Sequence, residues 1–503
     1  MPSVPPFEDA TDFHTVVPGW VSSSRDRGSI DILYSSCLTI LLCCWVSTQP
    51  NAGAPKDKWY HRFIDKFHLA MVGLLGPDFL FAIAIGQLSS ARRSVKLFRA
   101  NEKLTKGLKW TYRHAFFVDM GGIFLTSPDF PDGFPINAQQ FYYLVKHDYI
   151  DFPDMEAMDI SERNSSDTLS RFITMWQVLW FSIAEIQRTR TGLPMTTLEL
   201  TALSYAFVII ITSVCWYRKP AITHPRPITT KDNKTIDEIR AAIKQTTHPN
   251  IDLAVWYRTP VDFLSGPRWR IEAHWAYYVR LSELIRMPLA SRKLTSRPWN
   301  RFPSDIWLPP DVVYAPFGCF VLLWFSASFL IAWNFHFPTQ VEQLLWRISS
   351  VYCAVFMIYG FGYYVISWYE WRKQTTTEKV PAQVQAPERS NSKHTDAAVA
   401  VLGVDVEQGG SSETEVLKAR RFKVGPFGIL RRLLAVAARM RNISADKDPE
   451  MAIPIHVMIP VTITCALYFF CRMFLYVEDF SSLRIQPLGV YYTVNKFIPF
   501  LGD

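Results

Sequence analysis

AWNFHFPTQVEQLLWRISS, residues 332–350, joins two long apolar runs, and its reading decides the fold. It packs Trp333, Asn334, His336, Glu342, Trp346 and Arg347 between segments that are otherwise greasy. Either these residues form a site, or they belong to a helical hairpin that breaks the surface of a membrane. Pro338 and Thr339 interrupt the apolar run. Thr339 and Glu342 have the T-x-x-E spacing of a capping box, in which side chains satisfy the free N–H groups at a helix start. Trp333 and Trp346 fall where an aromatic belt sits, and Arg347 can reach out to head groups. A re-entry hairpin accounts for this stretch except Asn334 and His336, which stand as polar candidates for a functional role.

The rest of the chain fits that hairpin. Of 503 residues, 49% are apolar and 15% aromatic, and the mean hydropathy is slightly positive although three long stretches are plainly polar. The apolar residues are therefore concentrated. Seven windows hold them: 30–46, 69–86, 172–186, 198–217, 312–335, 349–368 and 452–476. A crossing helix needs about 20 residues. The third window is short and carries Glu185. The expected fold is an all-α integral membrane protein with about seven transmembrane helices and interfacial amphipathic helices. The parse runs 1–29 as an N-terminal segment, and 30–217 as spans one to four with a polar connection at 87–168. A long polar connection follows at 218–311, spans five and six at 312–368, a linker with a basic helix at 369–451, and span seven with a tail at 452–503.

The long connections carry most of the 53 Lys and Arg residues, concentrated beside the spans. The positive-inside rule puts these connections in the cytosol, the N-terminus with them and the C-terminus outside. Two stretches, 87–110 and 425–441, place apolar residues on one helical stripe with Arg and Lys around it. Such helices lie in the interface and favour anionic lipid; the alternative is packing on a soluble loop domain. The basic excess tracks the membrane flanks and does not argue for nucleic acid. Residues 374–416 are poor in apolar side chains and read as a disordered linker. All eight cysteines fall inside the windows, as small apolar packing residues, and no metal or cofactor is expected. The N-terminus lacks the basic and apolar regions of a cleavable signal.

Ionisable groups inside spans are costly and are functional candidates by default. Asp31 opens the first span beside Arg25 and Arg27, as a cap or ion-pair partner. Asp78 follows Pro77 in the middle of the second; Pro77 kinks the helix, which turns Asp78 to the bundle or a wet cavity and makes it the strongest functional candidate. Glu185 ends the third with Arg188, in the pattern of an interfacial ion pair. In HAFFVDMGGIFL (114–125), His114 and Asp119 lie five apart, off one helix face, before a Gly pair that allows a tight turn. They are catalytic candidates and a weak metal pair, with no third ligand. The sequence DFPD occurs at 129–132 and 151–154. It resembles paired carboxylates that hold Mg²⁺, but its prolines favour turns. No GxxxxGK[ST], G-x-S-x-G, HExxH or GxGxxG occurs, which disfavours soluble ATPase, hydrolase, metalloprotease and dinucleotide chemistry.

RGSIDILYSS (27–36), WTYRHAFFVDMGGIFL (110–125), GLPMTTLEL (192–200), the 332–350 stretch and SSLRIQPLGVYYTVNKFIPF (481–500) together resemble a large family of fungal multi-pass membrane proteins with no assigned biochemical function. The family pattern has Thr where this chain has Ser29, and Trp where it has Lys496. The resemblance implies a fungal membrane protein and no reaction. Three functions remain open. One is a channel-like or transport-like bundle that can assemble as a homo-oligomer, with Asp78, Glu185 and His114 along the path. Another is a membrane-embedded enzyme acting on a lipid or isoprenoid. The third is a receptor or sensor.

Overall fold

The computed structural model describes residues 14–23, 27–153, 165–221, 225–246, 252–266, 268–287, 292–294, 296–378, 441, 448 and 451–492. The linker 374–416 and the basic stripe 425–441 lie almost wholly outside the described residues.

The chain is mostly helical. Among the described residues five helices are long and apolar enough to cross a membrane. They are α1 (Ser29–Ser47), α7 (Thr197–Cys215), α10 (Ala315–Ser328, continued as a 3₁₀ turn to Asn334), α11 (Gln340–Glu378) and α12 (Ile455–Ser481). Earlier in the chain come α2 (Trp59–Leu75), α3 (Pro77–Ala100), α4 (Tyr112–Asp119), α5 (Ala138–Lys146) and α6 (Ser165–Arg190). Two shorter helices, α8 (Ile236–Thr246) and α9 (Arg270–Leu284), follow α7.

The second apolar window is not one kinked helix. α2 and α3 meet at 119° across Gly76. Pro77 occupies the first turn of α3, where its missing N–H costs nothing and its fixed φ suits a helix start. The pair enters the bundle and turns back. Asp65 of α2 and Asp57 before it both meet Arg292, at 2.7 and 2.6 Å. At the far end of the pair, Gln87 of α3 accepts from Trp216 and Lys219 just beyond α7.

The bundle has two ends. At one, the terminal face, the starts of α1 and α7 meet the residues after α12 in a cluster of Ile32, Leu198, Leu483, Val490 and Tyr491. There β1 (Val16–Pro18) pairs antiparallel with β5 (Ile485–Pro487), in register Val17 to Gln486. This corrects the placement of the two termini on opposite sides. α1, α6, α7, α10, α11 and α12 each run from end to end, whereas the α2–α3 pair does not, so both ends of the described chain reach one face.

α6 is the short third window. It is less apolar than the five, because Thr174, Glu185 and Arg188 are buried toward the bundle while Phe172, Ile173, Trp176 and Trp180 point outward. Its first half lies beside Val46 and Val214, near the ends of α1 and α7. Its last turn lies beside Arg27 and Tyr492 at the terminal face.

The opposite end, the sheet face, carries what the all-helical reading lacks. β2 (Ile123–Thr126) pairs antiparallel with β3 (Phe134–Pro135) and parallel with β4 (Arg226–Thr229). α4, α5 and α8 pack around these strands over a core that includes Phe98, Trp110, Phe116, Phe134, Phe141 and Ile239. The stripe of 87–110 is part of that core: Ala91, Val95 and Phe98 are buried, and Phe98 stacks on Trp110 at 4.2 Å. The first DFPD is a capped turn. Asp129 accepts from the Ile236 and Asp237 amides at the start of α8.

The opening hairpin joins α10 to α11. Thr339 Oγ1 accepts from the Glu342 amide, while the Glu342 carboxylate reaches across to Arg484. Arg347 donates to the Trp333 carbonyl and lies over its ring. Trp346 is no belt residue: it is fully buried and donates to the Phe329 carbonyl at 3.1 Å.

Candidate functional site

Three polar constellations sit inside this frame, and the sequence candidates divide among them.

The first surrounds the α2–α3 break. A helix end leaves its last carbonyls without partners. Tyr476 Oη donates to the Leu75 carbonyl at 2.9 Å, and Tyr205 Oη lies 2.7 Å from that of Leu74. The same two hydroxyls are 2.6 Å apart. Asp78 is therefore not mid-helix but in the first turn of α3, buried to 2% exposure. Its Oδ1 accepts from Arg472 Nη2 and its Oδ2 from Tyr468 Oη, both at 2.9 Å. Arg472 also donates to Tyr468 and Tyr476, and its guanidinium lies over the rings of Phe325 and Phe329. Gly76 is required here, because a Cβ would overlap the Asp78 carboxylate. Every charge in this network has a partner. It fastens the tip of the bent pair to α7 and α12.

The second lies at the terminal face. Arg27 contacts both Glu185 and Glu199, and Arg188 sits 3.5 Å from Glu185. Arg188 also donates to the Tyr492 and Val490 carbonyls at 2.6 and 2.9 Å. Burial holds the Arg27 guanidinium down to about 10, with Arg188 adding to it. Two guanidiniums against two carboxylates make a neutral clamp that joins the residues before α1 to Val490 and Tyr492. Nearby, Asp31 is exposed and caps α1, accepting from the Gly28 amide at 2.7 Å and from Ser23. Asn334 is exposed at the end of its 3₁₀ turn. His336 is half-buried, with Nε2 enclosed and without a hydrogen-bond partner, and burial lowers its pKa.

The third is a chamber of about 940 Å³ at the sheet face, between α3, the strand-bearing unit, the 258–311 segment and the end of α11. Trp269, Trp299, Trp368 and Trp371 give it aromatic walls. Much of its charge is spoken for. Arg93 pairs with Asp311 at 3.0 Å, and Arg268 with Glu272 at 2.8 Å. Asp262 accepts from the Tyr257 and Arg258 amides. Lys219, 2% exposed, donates to Gln49, Asn51 and Gln87.

Asp119 differs from its neighbours. It ends α4, where its Oδ1 accepts from the Ala138 amide at the start of α5, and the Ser90 hydroxyl lies close enough to its carboxylate to favour the charged form. Its Oδ2 is enclosed and has no hydrogen-bond partner. Burial raises the Asp119 pKa above the ordinary carboxylate value, against those hydrogen bonds and Arg93. His114 does not join it. Its Nδ1 accepts from the Thr111 amide at the start of α4 and its ring stacks on Trp110. Among the described residues no group of three or more His, Cys, Asp or Glu could hold a metal ion.

Sequence reasoning missed Arg472, Glu199 and Lys219. The signal for the first two was present, a charged residue inside an apolar window. Lys219 looked like one more basic flank.

Residues 6–244 match a family model described as a family of unknown function (DUF8562). That region holds Asp78, Asp119 and Lys219 but stops within α8, short of Arg472 and of the 258–311 and α11 walls of the chamber. Nothing matches among curated proteins or among solved structures.

Proposed function

We propose that this is a multi-pass integral membrane protein with a transport-like function, whose ligand site is the chamber at the sheet face. Six helices cross the bilayer and the α2–α3 pair is re-entrant. The outward faces support this: Val341, Leu344, Ile348, Val355, Ile358 and Ile366 of α11 are exposed, while charged groups point inward. That inversion suits hydrocarbon as solvent. A helix broken inside a bundle is the form in which membrane proteins place backbone near a solute path. The motifs that resemble fungal membrane proteins agree with the same reading.

The observation that carries the site is Asp119 Oδ2, an enclosed acceptor with no protein donor on the wall of a large chamber lined by four tryptophans. A buried acceptor without a partner costs about 1–3 kcal/mol, which a ligand that donates to it recovers. Aromatic faces beside a carboxylate suit an ammonium or a polyhydroxyl compound. A membrane enzyme is the weaker alternative, because the hydroxyl at Asp119, Ser90, has no imidazole to activate it among the residues around the chamber.

The test is a thermal-shift screen of detergent-solubilised protein against primary amines and polyols, followed by flux of any hit in proteoliposomes. We expect a ligand that stabilises wild type and has no effect on Asp119→Asn. An equal response in both proteins, or none across the panel, overturns the site; binding without flux overturns transport.

A further inference from the structure

A second cavity, of about 910 Å³, opens at the sheet face between α4, the first half of α6 and the ends of α1 and α7. Its walls divide by chemistry. The outer wall is apolar, with Val46, Phe172, Met175 and Val214, of which Phe172 and Val214 are 67% and 69% exposed. The inner wall holds Arg113 and Arg218, with Lys219 behind them already bound to Gln49, Asn51 and Gln87, and among the described residues no Asp or Glu lines it. Arg218 lies over the Tyr112 ring at 5.4 Å. Behind Tyr314, another lining residue, Arg92 sits 5.2 Å from the ring centroid with its Nη1 enclosed and without a hydrogen-bond partner. The first chamber balances its cations with Asp119, Asp262, Glu272 and Asp311. Among the described residues this one has basic side chains and no carboxylate.

We infer that this cavity binds the phosphate-bearing head of an anionic phospholipid, with an acyl chain along the groove between α6 and α7. The ends of α1 and α7 set it at the level where a bilayer meets water, so its apolar wall faces acyl chains and its cations face head groups. Guanidiniums match phosphate oxygens in planar, two-point geometry, and among the described lining residues no carboxylate competes for them. A free phosphorylated solute carries the same head chemistry but leaves the apolar wall empty. The inference rests on the bilayer reading and is independent of the Asp119 chamber.

The experiment is native mass spectrometry of the full chain released from nanodiscs of phosphatidylcholine with and without phosphatidylglycerol. Wild type should retain phosphatidylglycerol at least about 30-fold over phosphatidylcholine. Arg113→Gln/Arg218→Gln should lose that preference by roughly 30-fold, about 2 kcal/mol for two basic residues at an anionic surface. Val214→Trp keeps the cations and obstructs the groove, so it should also lose the lipid; it serves if the double variant does not fold. Equal retention of both lipids by wild type, or undiminished phosphatidylglycerol in the variants, overturns the inference. So does displacement of the lipid by millimolar inorganic phosphate with no effect of Val214→Trp, which would assign the cations to a soluble anion. Release of the protein from membranes by alkaline carbonate alone would instead overturn the bilayer reading.

Discussion

Replacing Asp78 with Asn should strip the neutralising charge from Arg472, whose side chain is 1% exposed. Removing one partner of a buried ion pair costs about 3–5 kcal/mol, because the other charge stays buried and uncompensated. The aromatic rings around Arg472 remain and still attract the cation. We therefore expect the lower part of that range, about 3 kcal/mol. Arg472→Met should also destabilise, because Tyr468 is then the one side-chain donor left to Asp78 among the described residues. In Asp78→Asn/Arg472→Met no charge is left to bury, and about 2 kcal/mol should return as a coupling between the two positions. Unfolding of the detergent-solubilised protein, followed by tryptophan fluorescence for all four members of the cycle, measures that coupling. Additive effects, within about 0.5 kcal/mol, would refute the reasoning. They would mean that the tip of the bent pair is held by its tyrosine hydrogen bonds alone.

Other outcomes follow from single positions. Because burial raises the Asp119 pKa in the folded protein, stability falls as pH rises through the interval between its ordinary and folded values. Asp119→Asn should accordingly raise the melting temperature at neutral pH and lose that advantage below the ordinary carboxylate range, seen by melting at both pH values. His274 of α9 is buried with neither ring nitrogen hydrogen-bonded, and burial beside Arg270 pushes it down to about 4. Its stability cost should appear as pH falls from the ordinary histidine value toward 4, and His274→Phe should flatten the melting temperature over that window. Val17→Cys/Gln486→Cys should form a disulfide under mild oxidation, since these residues face each other in the β1–β5 pair; a protein still fully alkylatable after oxidation would deny that pairing.

Much of the helical frame was legible in the sequence, and less of what the frame positions. Five of the seven windows correspond to long apolar helices because length and hydropathy are local properties. The hairpin at 332–350 was readable for the same reason: Thr339 caps a helix three residues away. The break at Gly76 was not. A proline that kinks one helix and a proline that starts another look alike, and what separates them here is Tyr205 and Tyr476, which arrive from distant helices to satisfy the free carbonyls. On the proposed membrane reading, that difference makes the number of crossings even rather than odd. Strands of two to four residues, with β2 and β4 separated by α5, α6 and α7, leave no period to detect. Asp78 could be singled out as a buried charge, but Arg472, 394 residues away, could not be assigned to it. His114 and Asp119 were paired as close neighbours in sequence, five apart; both lie in α4, which sends Asp119 to the chamber wall and His114 into the helix's own cap.

Both ends of the described chain on one face, with the chamber on the other, is the claim on which the membrane reading depends. Engineered glycosylation sites in N-terminal and C-terminal tags test it in one experiment, with Asn233 of the Asn233-Lys-Thr sequon as an internal reporter for the sheet face. By the positive-inside rule the basic flanks predict a cytosolic sheet face, so both tags should be glycosylated and Asn233 should not. Glycans on both tags and on Asn233, or on only one tag, would contradict the account.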